Sequence, residues 1–582
     1  MCAYSDHIPL PPIDISRFGE PCPSDPEVRQ IRQQIEYAEH HLNQDDQEMD
    51  LVVEKRNDVI RRRLKDYYAF ISPIRKVPFE LWSEIFALAI FSLPGCCSLQ
   101  ITYEDITAPV LELSHVCSLW RAAAISTPVL WSNMDVNLAD VTRIEKIVHL
   151  YLRRSEGSLL QLKLCALDDF DNGIEALTPC GWHVFEMLLE VSNRWSHAAF
   201  EFWWELLDDK KIEDKLKTLS WNCEFLQSFN VDFNGDIPEN AEDAAQSPRL
   251  FQLLKRAPRL QILGLAPLRK WFLLPFAQLQ DLASISRVDD VLSCFTMCSN
   301  LQKLDLVIIN FSRRTLPDTR RIEHTKLRSL TWRLHSSHGP DIHSLLFLPS
   351  LTELAFSTPV DYKLQDAPRL CSSIQDFLRT HSKCQLKSLK LGAGFYISDE
   401  DLLQMLSLIP TITHLELSSC EFRGFMPPFF KGLTLRIADT GNDSAGILLP
   451  RLTNLHISID ERIGYGILWK PIPLQWSNGF PFPHPNDILS MLESRRKSVE
   501  DSQGQTSLLE SFNLEVYLNR VRDDCSVKDW TTVWFGQKLG SHLKTLATEG
   551  LKLKLRISSF KFERNNENDI NVVTDEEDHI MF

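Results

Sequence analysis

The sequence predicts an α/β protein in which a long N-terminal helix and a small all-α unit precede an extended α/β region. Residues 28–71 are charged and contain no Gly or Pro, residues 72–134 hold two strongly apolar helical segments, and Leu-x-x-Leu-x-Leu segments recur from residue 159 onward. A chain of 582 residues is too long for one compact core, so several domains or an elongated repeat are expected.

The N-terminal region divides into two predicted parts. Residues 1–27 hold repeated prolines and little periodic pattern, which predicts a disordered segment. Over 28–71 we expect one long amphipathic helix, because Ile31 and Ala38 share one heptad position and Ile35 and Leu42 share another. Charged residues interrupt both seams. Two interpretations therefore stay open. In the first, the helix does not self-associate, and it packs on its own protein or stands in solvent. In the second, it self-associates as a coiled coil.

The segment 72–134 has more apolar surface than a unit of its size needs. Pro78 suits the first turn of a helix, because its missing N–H would be unpaired there in any case. The following helix carries two adjacent apolar stripes, and a second helix is predicted over 111–126, ending at Thr127-Pro128. About 60 residues are too few to bury this surface unaided. The spare surface should therefore meet a partner or the rest of the chain.

An ordered set of short motifs runs through the same segment. It begins with Val77-Pro78-Phe79-Glu80 and Ile85-Phe86, continues with a Val-Cys-x-x-Trp-Arg stretch at residues 116–121, and ends with Leu130-Trp131. This set resembles an F-box. Val77 stands where that family usually has Leu, and the stretch from Leu93 to Pro109 is longer than in a minimal F-box, as in the F-box-like variant of large fungal families.

The resemblance implies a partner and a role. It implies docking onto the Skp1-like adaptor of a cullin-RING ubiquitin ligase, so that this chain would be the substrate-recognition subunit. The residues that it assigns to this docking are Ile74, Val77, Pro78, Leu81, Trp82, Ile85, Phe86, Val116, Cys117, Trp120 and Trp131.

A repeated pattern dominates the rest of the chain. Several copies of Leu-x-x-Leu-x-Leu follow a helical run and a turn, and some of their spacings fall near the 20–29 residues typical of leucine-rich repeats. The strong copies begin at Leu260, Leu301, Leu327, Leu351, Leu386, Ile412 and Leu452, and weaker ones begin at Leu159, Leu216 and Leu509. The pattern resembles an irregular leucine-rich-repeat solenoid over 135–560, with a curved parallel sheet and helices on its convex side. Residues 561–582 are predicted to form a loose polar tail.

Alternation along each strand identifies a candidate binding surface. The leucines point into the core, so the residues between and after them face the other side of the sheet. The candidates for contact with a target protein are Lys303, Asp305, Thr331, Arg333, Glu353, Lys390, His414, Glu416, Asn454 and His456. This mixed-charge set suits a protein or peptide better than a polyanion.

Other classes of function receive no support from the sequence. A net charge of −16 disfavours nucleic acid and anionic membranes as partners. We find no phosphate-binding loop, nucleophile elbow, His-Glu-x-x-His motif or paired cysteine spacing, so no catalysis, metal or cofactor is expected. No signal peptide or membrane-spanning run is recognised, which predicts a cytoplasmic or nuclear protein. The main hypothesis is a ligase adaptor with an unidentified target, and the alternative is a non-catalytic scaffold that self-associates without binding Skp1.

Overall fold

The computed structural model shows an α/β protein with mostly parallel strands and, within the described residues, thirteen helices. The chain divides into two compact units, 1–198 and 199–582, and each is described by itself. The described residues are 10–13, 23–45, 51–92, 97–102, 105–139, 144–166, 179–204, 214, 217, 223–234, 251, 254–269, 272–308, 321–334, 345–357, 367–380, 384–392, 397–418, 427–435, 447–460, 485–496, 500–501, 504–505, 507–519, 537–566 and 569–581.

The predicted single helix over 28–71 is two helices in the structure, α1 (Asp25–Asp45) and α2 (Leu51–Phe70), which pack against each other. The backbone N–H and hydroxyl of Ser24 both donate to Glu27 Oε2, at 3.0 and 3.2 Å, which caps the start of α1. The two helices share one core, which contains Ile35 and Ala38 of the heptad pattern as buried residues and Ile31 and Leu42 as partly buried ones. The buried members of this core are Leu10, Ile35, Ala38, Ile60, Leu64 and Tyr67.

Part of the segment predicted to be disordered, 1–27, belongs to the same core. Leu10 is completely buried, and its carbonyl accepts a hydrogen bond from Arg63. The Tyr67 hydroxyl donates to the Pro11 carbonyl at 3.2 Å. The apolar residues 10 and 13 thus join the core despite the neighbouring prolines; residues 1–9 and 14–22 lie outside the described ranges.

The segment 72–134 contains three helices: α3 (Phe79–Phe91), α4 (Pro109–Val116) and α5 (Ser118–Ile125). Helix α3 begins directly after Pro78, as predicted. The second predicted helix, over 111–126, is instead broken at Cys117, whose backbone is extended with φ −158° and ψ 172°. The Cys117 sulfur accepts a hydrogen bond from the Trp120 N–H at 3.4 Å, which caps α5. Short 3-10 turns at Pro73–Lys76 and Pro128–Trp131 flank the helices.

The first unit also contains strands, two of them between α3 and α4 and the others after α5. Its strands are β1 (Leu99–Ile101), β2 (Ile106–Thr107), β3 (Asn133–Asn137) and β4 (Leu160–Ala166), with β2 antiparallel to β1 and the other pairs parallel. Thus β1 and β2 come from the long stretch between Leu93 and Pro109. Helices α6 (Glu145–Arg154) and α7 (Pro179–Glu190) alternate with the strands, and β5 (Trp195–Trp203) spans the boundary between the units.

Further strands and helices alternate in the second unit. The strands are β6 (Ser228–Asn234), β7 (Ile262–Ala266), β8 (Asp281–Ser286), β9 (Lys303–Ile308), β10 (Ile322–Glu323), β11 (Ser329–Leu334), β12 (Leu346–Phe347), β13 (Glu353–Ser357), β14 (Ser388–Leu391), β15 (His414–Ser418), β16 (Asn454–Asp460), β17 (Glu500–Asp501), β18 (Gly504–Gln505), β19 (Ser511–Asn519), β20 (Lys552–Asn566) and β21 (Asp569–Met581). The helices are α8 (Val288–Met297), α9 (Ala367–Thr380), α10 (Asp399–Ser407), α11 (Pro427–Leu433), α12 (Pro485–Arg495) and α13 (Gln537–Thr548).

One parallel ladder orders most of these strands. It runs β6, β7, β8, β9, β11, β13, β14, β15, β16, β19 and β20, each strand pairing with the next. The strong Leu-x-x-Leu-x-Leu copies lie along this ladder. Their second apolar residues align across neighbouring strands and are buried: Leu304, Leu330, Leu354, Leu389, Leu415 and Leu455.

Two parts of the ladder differ from the sequence prediction. Strand β8 fills the gap between the copies at Leu260 and Leu301, and it was missed because Ser284 stands where the pattern needs Leu. Ser284 is buried, and its hydroxyl donates to the Leu265 carbonyl at 2.7 Å. The predicted polar tail, 561–582, is also wrong over its described residues, because β20 extends to Asn566 and β21 pairs with it antiparallel.

Candidate protein-binding surfaces

Helix α3 has one buried and one exposed apolar stripe. Trp82 and Phe86 are buried, at 3% and 1% exposure, whereas Leu81, Ile85 and Leu88 are 46%, 42% and 67% exposed. The exposed three lie four and three residues apart, so they share one face of the helix. We call Leu81, Ile85 and Leu88 the exposed stripe.

The exposed apolar surface continues around the helical region. Ten of the sixteen large hydrophobic residues that are exposed in the described parts of the chain lie between Ile74 and Val129. Scattered exposed apolar residues are ordinary, whereas a contiguous apolar patch is typical of an interaction site, so this segment is the candidate for one. Besides the exposed stripe, the group contains Ile74, Phe79, Ile106, Val116, Leu119, Ile125 and Val129.

An aromatic cluster holds α3 against α5 beneath this surface. The ring centroids of Trp82, Phe86 and Trp120 lie 4.9–5.6 Å apart in tilted or edge-to-face arrangements, which are the favoured geometries for aromatic pairs. The Ser83 and Thr127 hydroxyls are hydrogen-bonded at 2.7 Å and join α3 to the turn after α5. The exposed stripe therefore stands on a packed support.

Trp131 belongs to the core. It is completely buried, and its indole N–H donates to the Ala124 carbonyl at 2.7 Å. The Tyr151 ring lies 4.9 Å from the Trp131 ring, centroid to centroid, and the Arg154 guanidinium lies 4.4 Å from its centroid. Burial raises the pKa of the Tyr151 hydroxyl, which donates to the Ser98 carbonyl.

The predicted docking residues therefore occupy three kinds of position. Trp82, Phe86 and Trp131 are buried and support the surface from within, and Val77 and Trp120 are half-buried. The exposed members of the set are Ile74, Pro78, Leu81, Ile85, Val116 and Cys117.

In the second unit, the parallel register places all ten predicted target-facing residues on one side of the ladder. Lys303, Glu353, His414 and Asn454 belong to one row across the strands, together with serines on β11 and β14. Asp305, Thr331, Lys390, Glu416 and His456 belong to the next row, and Arg333 to a third. We call the side of the ladder that carries these residues the sheet face.

Ion pairs between neighbouring strands cross the sheet face. Arg333 Nη2 lies 2.6 Å from Asp305 Oδ2, and Lys390 Nζ lies 2.6 Å from Glu416 Oε1. Two further ion pairs include residues that were not among the ten candidates. Lys303 pairs with Asp281 of β8 at 3.5 Å, and Lys554 of β20 pairs with Glu515 of β19 at 2.9 Å. They were missed because β8 was not predicted and the copy around β19 is weak.

These contacts affect two carboxyl groups differently. Burial raises the pKa of Asp305, and the nearby Arg333 and Lys303 only partly offset this effect. Burial also acts to raise the pKa of Glu416, but hydrogen bonds from Lys390 and Ser418 outweigh it, so this pKa is lowered. The fold thus favours ionised Glu416 and disfavours ionised Asp305.

Histidines on the sheet face join the same network. Asn454 Nδ2 and His414 Nε2 lie 2.9 Å apart, and the His414 Nδ1 lies 2.8 Å from the Thr413 hydroxyl. His456 stands between two carboxylates, 3.9 Å from Glu416 and 4.0 Å from Glu515. The polar side chains therefore form a connected surface.

A cavity of about 230 Å³ opens on the sheet face where β11, β13 and β14 lie side by side. Arg333 and Lys390 line it together with the small residues Ala355, Ser357 and Gly392. It therefore combines cationic groups with a floor of short side chains.

The described residues contain no group of three or more His, Cys, Asp or Glu side chains placed to hold a metal ion. Burial raises the pKa of the Cys298 and Cys371 thiols to about 12, and it also raises the pKa of the Cys294 thiol well above its ordinary value. Thiols of this kind are poor nucleophiles near neutral pH. No described helix combines the length and apolar character that a membrane span requires.

No family model matches the sequence, and comparison with curated proteins gives no match either. Function is therefore inferred from the residues and their geometry.

Proposed function

We propose that the chain is an F-box-type adaptor of a ubiquitin ligase, which docks a Skp1-like subunit through the helices of 72–131 and a target protein through the sheet face. The observation that carries the proposal is the exposed stripe of α3, a helix that packs on α5 through the Trp82–Phe86–Trp120 cluster. An apolar helix face on a rigid support is what a partner helix or groove can bury.

The cullin complex and its partner enzymes would carry out ubiquitin transfer. The contribution of this chain would be to hold the target close to the transferring enzyme, which raises the effective concentration of the reacting groups. The proposal therefore requires no catalytic residue here. The expected compartment is the cytoplasm or nucleus.

The second half of the proposal is that the ladder forms an irregular leucine-rich-repeat solenoid. Repeated strands in parallel register, with buried leucines on one side and polar residues on the other, support this assignment. The sheet face would then be the target-binding surface. Its mixed charges favour a protein or peptide target.

The experiment compares two surface variants in the full-length chain. Leu81→Glu combined with Ile85→Glu places charges in the exposed stripe, where Glu is compatible with a helix. We expect Skp1 binding to weaken by about 2 kcal/mol or more, roughly 30-fold, while the melting temperature stays close to that of the wild type. Ile262→Glu is the matched control, because Ile262 is 41% exposed but lies on β7 in the second unit; it should bind Skp1 normally.

Deletion of 72–134 is a poorer test. It would remove Trp131 and the β1–β3 pairing, and with them part of the core of the first unit. Phe86→Ala provides a contrast, because loss of a buried Phe should lower stability by about 3–5 kcal/mol. If the stripe variant bound Skp1 as tightly as the wild type, the proposed docking surface would be wrong.

A further inference from the structure

The cavity between β11, β13 and β14 results from the pattern of side-chain lengths on the sheet face. Thr331, Ala355 and Lys390 occupy one row, and Arg333 pairs in register with Ser357. Two adjacent short residues, Ala355 and Ser357, therefore lie between strands that carry long ones. Neighbouring strands are about 4.8 Å apart, so β11 and β14 are separated by roughly 10 Å at β13.

Gly392 deepens the floor. Its N–H donates to the Phe356 carbonyl at 2.6 Å, and an added Cβ would lie 3.1 Å from the Ser357 Cβ. A side chain at this position would therefore crowd Ser357. The cavity, at about 230 Å³, is smaller than the roughly 300–1,000 Å³ of sites for drug-sized molecules. It has room for the end of one side chain.

The charged groups at the cavity indicate the chemistry of that side chain. Arg333 and Lys390 are each about half exposed, and both line the cavity. Arg333 donates through Nη2 to Asp305, and Lys390 contacts Glu416, which lies outside the cavity lining. A guanidinium has five N–H groups and an ammonium has three, so both cations keep donors beyond the contacts to these carboxylates. The hydroxyls of Thr331 and Ser357 add further donors.

We propose that this cavity binds one anionic side chain of the target, either a phosphorylated serine or threonine or a glutamate or aspartate. Arg333 and Lys390 would contact the anion from the two flanking strands, and Ser357 would approach it from the floor. Charge-assisted hydrogen bonds of this type are about twice as strong as neutral ones. The inference rests on the proposed function in that the ligand is part of a target protein.

Asp305 competes with such a ligand. Asp305 also lines the cavity, and its Oδ2 lies 2.6 Å from Arg333 Nη2, so it takes up one of the guanidinium donors. Replacing its charge should therefore release Arg333 and strengthen anion binding. If the ion pairs are purely structural, their charges only neutralise one another and Asp305→Asn should create no preference for an anion. The Asp305→Asn variant therefore distinguishes the two roles.

The experiment uses the full-length chain, immobilised at about 150 mM salt, and four peptide libraries. The libraries have random flanks and differ only in the central residue: phosphoserine, glutamate, serine or glutamine. We expect at least one acidic library to be retained about tenfold more than both neutral ones. Comparison of the phosphoserine and glutamate libraries identifies which anion the cavity prefers.

Variants locate the binding. Arg333→Gln and Lys390→Gln should each remove most of the acidic preference, and Asp305→Asn should increase it. Ala355→Leu should abolish it by filling the cavity without a change of charge. Lys554→Gln is the matched control, because Lys554 pairs with Glu515 on the same sheet but does not line the cavity.

Two results would overturn the inference. One is equal retention of acidic and neutral libraries by the wild type. The other is an acidic preference that survives both Arg333→Gln and Ala355→Leu. Skp1 binding is measured on the same samples, so a cavity that fails this test while Skp1 still binds leaves the adaptor function standing.

Discussion

Arg495 is a single buried charge that joins three segments of the second unit. It is 1% exposed, and its guanidinium donates to the carbonyls of Leu433, Leu448 and Leu449 at 2.7–2.9 Å. Burial lowers its pKa to about 10. Because the folded and unfolded pKa values both exceed 9, Arg495 should add no pH dependence to stability between pH 6 and 9.

Replacing this residue should be costly. Arg495→Met removes the guanidinium donors from all three carbonyls, but the Leu449 carbonyl still accepts from the Leu452 N–H. At about 1 kcal/mol or more for each of the other two carbonyls, we expect a loss of about 2 kcal/mol of unfolding free energy. Urea unfolding followed by tryptophan fluorescence measures it. Arg451→Met, at an exposed position, is the control and should have little effect. Equal stability of the two variants would mean that the carbonyls find other donors.

Asp305 and Glu416 should affect stability with opposite signs. The pKa of Glu416 is lowered from its ordinary 4.5, so its contribution is present above pH 4.5 and is lost as the pH falls through the folded pKa. The pKa of Asp305 is raised from 3.8, so ionised Asp305 is unfavourable at neutral pH and protonation relieves this. At pH 7, Glu416→Gln should lower the melting temperature, and Asp305→Asn should not.

Melting curves at pH 7 and pH 3.5 check both signs. The difference between Glu416→Gln and the wild type should shrink at the lower pH. A lower melting temperature for Asp305→Asn at pH 7 would show that the contact with Arg333 outweighs the burial of the carboxylate.

Among the elements, helices α1 and α2 show why a heptad pattern alone does not distinguish a long helix from a hairpin. Both arrangements place Ile35, Ala38 and Leu64 on an apolar face, and the intervening 46–50 contain no Gly or Pro. The sequence therefore predicts the buried face of α1 but neither that of α2 nor the fold-back. The break at Cys117 was equally hidden, because no Gly or Pro marks it.

The hairpin makes a prediction about oligomeric state. Its apolar face is already buried within the chain, so self-association through α1 should not occur, and light scattering should give a molar mass near 67.1 kDa. Ile35→Glu should lower thermal stability without changing that mass. A wild-type dimer that Ile35→Glu converts to a monomer would restore the coiled-coil interpretation.

For the molecule as a whole, the sequence predicted which strand residues share the sheet face better than it predicted the contacts between them. Strand alternation is local, so the ten candidate positions could be read from the leucine pattern, and all lie on the sheet face. The ion pairs depend on which strands are neighbours. The order of neighbouring strands could not be predicted around β8, which carries Asp281, because Ser284 replaces the Leu of the repeat pattern there.

In the proposed adaptor, the exposed apolar residues between Ile74 and Val129 bind a Skp1-like subunit. The most direct measurement mixes the purified full-length chain with the Skp1 of its own organism and determines the molar mass by size-exclusion chromatography with light scattering. We expect a one-to-one complex with the wild type and none with the variant that combines Leu81→Glu and Ile85→Glu. A well-folded wild-type chain that elutes separately from Skp1 at micromolar concentrations would contradict it.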